Sequence, residues 1–128
     1  MIALRTSTQV LLASLILLGG LVFAESSKST ASLDTGLAER VAAGQVVLED
    51  RKKGNCLSCH LIIGAELPGN TGPPLIGMQA RWPDREALLQ QISNPALRNP
   101  DTLMPPYGLH RILTDAELEV LVDYIYTL

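Results

Sequence analysis

The sequence predicts an all-α domain whose helices are joined by long loops rich in proline and glycine. Three observations carry that prediction. Apolar residues recur at helical spacing in three segments, N-terminal cap residues stand ahead of two of them, and no stretch shows the apolar–polar alternation of a half-buried strand. At 128 residues the chain is sized for one domain.

The first two dozen residues read as a targeting segment. Arg5 precedes an apolar run from Val10 to Phe23, and Val22-Phe23-Ala24 supplies a small-residue cleavage pattern, so cleavage is expected after Ala24. The run is broken by Gly19-Gly20 and falls short of the roughly 20 residues that a spanning helix needs. An exported, periplasmic protein with no membrane association after cleavage is the expectation. Loss of residues 1–24 removes one positive charge, Arg5, and takes the formal net charge from −3 to −4. A mildly acidic domain without a basic stripe lacks the electrostatic footprint of a nucleic-acid binder. Residues 25–36, reading ESSKSTASLDTG, have almost no apolar content and are expected to be a flexible linker, leaving 37–128 as the folded domain.

Within that domain, Leu37, Val41 and Leu48 follow helical spacing, and the spacing predicts a helix from residue 37 to 53. Gly44 lies in its apolar stripe. An internal glycine costs about 1 kcal/mol against alanine in a helix, so its position points to a close crossing with another helix. Gly54-Asn55 then breaks the helix ahead of Cys56-Leu57-Ser58-Cys59-His60. The stretch from Gly64 to Pro83 is dense in glycine and proline and reads as loop; the prolines of Gly72-Pro73-Pro74 have fixed φ and no backbone donor, which makes the segment stiff. Asp84 is a plausible N-cap for a helix that buries Leu88, Leu89 and Ile92 and stops at Asn94-Pro95. After a second loop, from Asn99 to Gly108, Thr114 and Glu117 form a capping box, and Leu118, Leu121, Val122 and Ile125 make one apolar stripe.

The core is short of large side chains. With Phe23 gone, Trp82, Tyr107, Tyr124 and Tyr126 are the aromatic residues that remain, and a chain near 100 residues buries only about 60–70% of its unfolded surface. A structureless connection of around 20 residues also argues against a compact domain unless a ligand orders it. Both observations point to an interior filled by something other than side chains.

Cys56-x-x-Cys59-His60 names that filler. On one helical turn, positions i, i+3 and i+4 share a face, so two sulfurs and an imidazole address a single planar object. Haem is such an object: its vinyl groups take the two thiols as thioethers and the histidine supplies an axial iron ligand. Competing readings are weaker. A disulfide between Cys56 and Cys59 closes too small a loop to stabilise much, a thioredoxin-like pair requires a βαβ setting, and a structural zinc site requires a second ligand pair at a recognised spacing. Met104, Met78 and His110 are the candidates for the sixth iron ligand. Met104 is preferred because it lies in the stiff Met104-Pro105-Pro106 loop, far enough along the chain to reach the opposite face of a disc. Met78 is closer to His60 and reads as a soft core filler, and His110 as a surface-loop histidine. An axial histidine donates its other ring nitrogen to an acceptor, and a carbonyl near Pro73, in a run poor in donors, is suited to that role.

These residues together resemble the class I c-type cytochromes. The resemblance implies one covalently bound haem c among three to five helices, with Cys56 and Cys59 attached, His60 and Met104 ligating the iron, Pro73 carrying the carbonyl that orients His60, and Gly44 at the crossing with the terminal helix near Leu121 or Tyr124. A closer resemblance runs from Gly54 to His60, through Leu67-Pro68-Gly69-Asn70-Thr71-Gly72-Pro73-Pro74-Leu75, and above all through Asn99 to Gly108 and Arg111-Ile112-Leu113-Thr114. Over about residues 37–128 the chain is similar to the SoxX family, the small cytochrome subunits of SoxAX sulfur-oxidation complexes; Tyr107 stands where phenylalanine is expected. That resemblance implies a heterodimer with a SoxA-type monohaem or dihaem cytochrome, which joins thiosulfate to a cysteine of the SoxYZ carrier. The thiosulfotransferase chemistry then belongs to the partner, this chain carries no catalytic residue, and its electrons pass to a small soluble cytochrome. A free-standing periplasmic electron carrier fits the same residues, whereas a haem peroxidase or gas sensor requires an open sixth position that Met104 would fill.

Replacing either Cys56 or Cys59 with alanine is expected to strip or halve the covalent attachment of haem. Haem stain and mass of the exported protein after denaturation check this, and full haem retention by the double variant contradicts it.

Overall fold

The computed structural model describes residues 34–128. The expected targeting segment, its cleavage point after Ala24 and most of the expected linker lie outside the described residues. Residues Leu37–Leu128 form one compact unit. Its elements are helix α1 over residues 34–49, a 3-10 turn at Cys56–Ser58, α2 (Met78–Arg81), α3 (Arg85–Ser93), a 3-10 turn at Pro95–Leu97, and α4 (Asp115–Ile125). No strand occurs among the described residues, and the all-α class expected from the periodicity is the class of the fold.

The helix expected over 37–53 is shifted toward the N-terminus. It already includes residues 34–36, which composition assigned to the linker, and it ends at Glu49. The Asp50 carbonyl closes the end by accepting from the N–H groups of Lys53, Gly54 and Asn55 at 3.2 Å each, and the Asp50 side chain accepts from Lys52 N–H at 2.8 Å. Those competing local acceptors, together with Gly54, turn the chain before the helix reaches Lys53. Helix α2 falls in the stretch read as loop. It is a single turn that starts from Gly77 in the left-handed region, φ 61°, a conformation glycine adopts at little cost, and so short a helix leaves no periodic signal.

The other two helices begin where their caps place them. The Asp84 side chain accepts from Glu86 N–H at 2.9 Å and Ala87 N–H at 3.4 Å, opening α3. At α4 the Thr114 hydroxyl accepts from Glu117 N–H at 3.3 Å while the Glu117 carboxylate accepts from Thr114 N–H at 2.9 Å, so both halves of the capping box are made. Glu117 also pairs with Lys53. The Lys53 ammonium and the bonds from Thr114 hold the Glu117 carboxyl down at about 2. Because that value lies below the usual 4.5, the group favours the folded state above about pH 4.5 and loses that contribution as the pH falls through about 2.

Three helices are tied through one carboxylate. Asp123 on α4 accepts from Arg40 Nε of α1 at 2.6 Å and from Arg85 Nη2 of α3 at 2.7 Å, and Arg85 also reaches Glu119 at 2.7 Å. Above this network α1 crosses α4 at Gly44. A Cβ there would overlap the Val120 carbonyl and stand 2.7 Å from Tyr124 Cβ, so the crossing falls at Val120 and Tyr124, one residue short of Leu121. Leu48, Leu121 and Val122 lie almost wholly buried beneath it, and α3 packs its Leu88 and Ile92 face toward α4.

Gly44→Ala is therefore expected to destabilise the fold. Overpacking costs about 1–3 kcal/mol against a helix-propensity gain of about 1 kcal/mol, and a thermal melt should show a net drop of several degrees.

Candidate haem site

Asn55 sets the direction of the site. Its backbone is left-handed, φ 47°, which asparagine tolerates better than most residues, and from it the chain enters the tight turn at Cys56–Ser58. The Cys56 carbonyl then accepts from Cys59 N–H at 3.2 Å and from His60 N–H at 2.9 Å. Cys56, Cys59 and His60 are thus held on one backbone turn, 3-10 in its first residues, as the motif spacing requires.

The Gly/Pro segment folds back along this turn. Gly69 N–H donates to the Leu57 carbonyl at 2.7 Å, Gly72 N–H to Cys59 at 2.8 Å and Leu75 N–H to Leu61 at 2.9 Å. Such close approach needs residues without Cβ. At Gly69 a Cβ would overlap the Ser58 carbonyl, and at Gly72 it would stand 2.7 Å from His60 Cε1. The same segment brings the Pro73 carbonyl 2.7 Å from His60 Nδ1. A carbonyl only accepts, so Nδ1 carries the proton and Nε2 keeps the lone pair that a metal can take. The next carbonyl, Pro74, accepts from Arg81 Nη1 at 2.6 Å, which steadies the strap from α2.

The second loop is fastened to the end of α3. Tyr107 N–H donates to Ile92 at 3.3 Å, and Gly108 and Leu109 N–H both donate to Ser93 at 3.1 Å, which satisfies carbonyls that a helix end leaves open. Met104 is half-buried in this loop, its N–H donating to Thr102 Oγ1 at 3.2 Å.

Between the two loops is a cavity of about 390 Å³, within the roughly 300–1,000 Å³ range of cofactor and small-molecule sites. Cys56, Cys59, His60, Pro73, Met78 and Met104 all line it, with Leu75, Leu88, Ile92, Leu121 and Ile125 supplying apolar wall. Met78 is buried in the core, its sulfur 3.6 Å from Arg81 Nη1. His110 is exposed and outside the lining. Neither cysteine is in a disulfide, and burial pushes the Cys56 thiol up to about 11. Burial likewise pushes Tyr107 up to about 12, leaving its hydroxyl a donor near neutral pH. Arg81, Trp82 and Tyr107 also line the cavity. Sequence reasoning gave none of them a site role: each sits in a loop or at a helix end, where no periodic pattern shows what it faces.

The donor set fits haem c. Two thiols and a preset imidazole share one turn, a glycine leaves room against the imidazole, and apolar side chains surround a cavity that polypeptide does not fill. An all-helical shell with a C-x-x-C-H turn in its wall defines the c-type cytochrome domains, proteins that carry covalent haem c and transfer electrons. More specifically, the family model for "Cytochrome C oxidase, cbb3-type, subunit III" matches residues 39–125, most of the chain, and the chain belongs to that cytochrome c family. It is also 35% identical over 79 residues to an "Uncharacterized lipoprotein" of Aquifex aeolicus (strain VF5), a match that takes in 59% of this chain and 37% of the relative. The chain thus spans little more than a third of that relative's length.

Gly72→Ala is expected to push the imidazole off the Pro73 carbonyl and to lower the yield of haem-loaded protein. Haem absorbance per mole of polypeptide measures it, and a wild-type ratio would show that the contact is not needed.

Proposed function

We propose that this chain is a single-haem electron-transfer subunit with His60 and Met104 as axial ligands, working in the periplasm as the SoxX-type partner of a larger SoxA-type cytochrome. The observation that carries the ligand assignment is geometric: His60, its proton committed to Pro73, and Met104, half-buried in a loop fastened to α3, line one apolar cavity, whereas Met78, which also lines it, is packed in the core with its sulfur 3.6 Å from Arg81 Nη1. When bound, haem c would supply a one-electron iron couple, and a thioether ligand from Met104 together with the His60 imidazole would raise its potential.

The residues of the chain do the rest. Pro73 fixes the imidazole tautomer and plane, and the Gly69 and Gly72 bonds fix Pro73. Leu75, Leu88, Ile92, Leu121 and Ile125 give the cavity an apolar wall, which offers few mobile dipoles to rearrange when the charge in it changes. Cys56 and Cys59 are the only cysteines; with both joined to haem, the chain has no thiol to act as a sulfur nucleophile, which fits an electron-accepting subunit whose chemistry lies on a partner. Support for the SoxX reading is the run from Asn99 to Thr114, and support for export is the apolar segment ahead of Ala24 together with the relative's description as a lipoprotein. The partner, the SoxYZ carrier and the soluble electron acceptor follow from that reading.

Met104→Ala is expected to keep the haem attached, to convert the spectrum to that of an open or weakly held sixth position, and to lower the potential; an unchanged spectrum moves the assignment to Met78, the other candidate that lines the cavity. Affinity purification of the wild-type protein from its own periplasm tests the partner. A second haem subunit that stays bound, with thiosulfate-dependent reduction of this haem, supports the SoxAX reading, and a monomer indifferent to thiosulfate establishes the free-standing carrier.

A further inference from the structure

Tyr107 is only 6% exposed although it belongs to the loop that carries Met104. Its hydroxyl donates to the Gly54 carbonyl at 3.0 Å, across 53 positions of sequence. The ring lies against the same residue, with Cε1 3.1 Å from where a Cβ on Gly54 would stand. Its backbone is held on two further sides, N–H to Ile92 at 3.3 Å and carbonyl from Leu113 N–H at 3.0 Å. Met104 is anchored far less. Its N–H reaches Thr102 Oγ1 within its own loop, Pro105 and Pro106 that follow have no donors, and Leu103 before it is 84% exposed. Among the described residues, the side-chain hydrogen bond that ties the Met104 loop to the segment leading into the Cys56 turn is this one hydroxyl.

We propose that the Tyr107 hydroxyl is a latch: bonded to Gly54, it holds the Met104 loop to the segment that leads into the Cys56 turn and so sets how readily an outside ligand displaces the Met104 thioether from the iron. The proposal rests on Met104 being the sixth ligand. Tyr107 acts through Met104 and is a positioning residue. A phenylalanine would fill the same volume, so the ring accounts for the packing and the hydroxyl for the tether alone. Opening the latch also strips the Gly54 carbonyl of its partner, a cost that opposes loop movement. In the displacement one thioether–iron bond breaks and one bond from the entering nitrogen forms, with no change in oxidation state.

The test is imidazole titration of the oxidised, haem-loaded, full-length protein, followed by its visible spectrum, for wild type, Tyr107→Phe and Tyr126→Phe. Tyr126 supplies the comparison because its hydroxyl also makes a long-range bond, to the Trp82 carbonyl at 2.6 Å across 44 positions, that joins neither the Met104 loop nor Gly54. Tyr107→Phe is expected to bind imidazole about fivefold more tightly, the factor that one net hydrogen bond corresponds to, while Tyr126→Phe keeps the wild-type affinity even if its melting temperature falls as far. Faster amide exchange at residues 103–104 in Tyr107→Phe alone is the second expected readout. Equal imidazole affinity in wild type and Tyr107→Phe overturns the latch, as does an equal gain in both variants, which would trace the effect to overall stability. A wild-type protein without a thioether–iron charge-transfer band before imidazole is added overturns the ligand assignment, and the latch with it.

Discussion

The 2.7 Å hydrogen bond from His60 Nδ1 to the Pro73 carbonyl is the contact on which the site depends. It requires a carbonyl beside the imidazole, and the carbonyl gets there because Gly69 and Gly72 allow a loop to lie directly on the Cys56–His60 turn. Proline then does two things at once. Its ring holds φ near −65° and Pro74 after it restricts ψ to the extended region, so the carbonyl does not swing away, and it offers no N–H that could compete for neighbouring acceptors. A sequence that reads as a breaker-rich loop is, in three dimensions, a wall segment fixed by hydrogen bonds at Gly69, Gly72, Pro73, Pro74 and Leu75.

That wall would collapse inward without a frame. The frame is the crossing of α1 and α4 at Gly44, backed by Asp123, which takes arginines from both α1 and α3. Arg40 is about half exposed, and such surface pairs contribute little individually, but Asp123 is mostly buried and joins three helices. The crossing and the network place Leu121 and Ile125 of α4 opposite Leu88 and Ile92 of α3, and the cavity lies where those side chains stop. A small domain with so few aromatic residues lines a cavity at its centre, and membership of the cytochrome c family names the group whose chemistry fits it, haem c.

Much of this was legible in one dimension. Asp84, and Thr114 with Glu117, mark helix starts because a cap is a contact among residues two or three apart. C-x-x-C-H is legible for the same reason, since its geometry is fixed by one turn. The end of α1 was misplaced by four residues because the Asp50 carbonyl and side chain compete for the following N–H groups, and apolar periodicity does not record such competition. Helix α2 was missed because one turn between Gly77 and Trp82 has no period to detect. Tyr107 read as a mild departure from a phenylalanine, and its hydroxyl acquires meaning only once Gly54 is beside it.

The sequence by itself determined the helical class, the two strong caps, the haem-attachment turn and the short list Met104, Met78 and His110, since each is written in residue type and local spacing. Tertiary structure alone decided that Gly69 and Gly72 lie against the Cys56–His60 turn, that Met104 and Met78 reach the cavity while His110 stays outside, and that Gly44 meets Val120. Those pairings join residues far apart in the chain. They follow from how rigid helices and tightly approached glycine backbones share one small volume, a constraint that exists only after the chain has closed on itself.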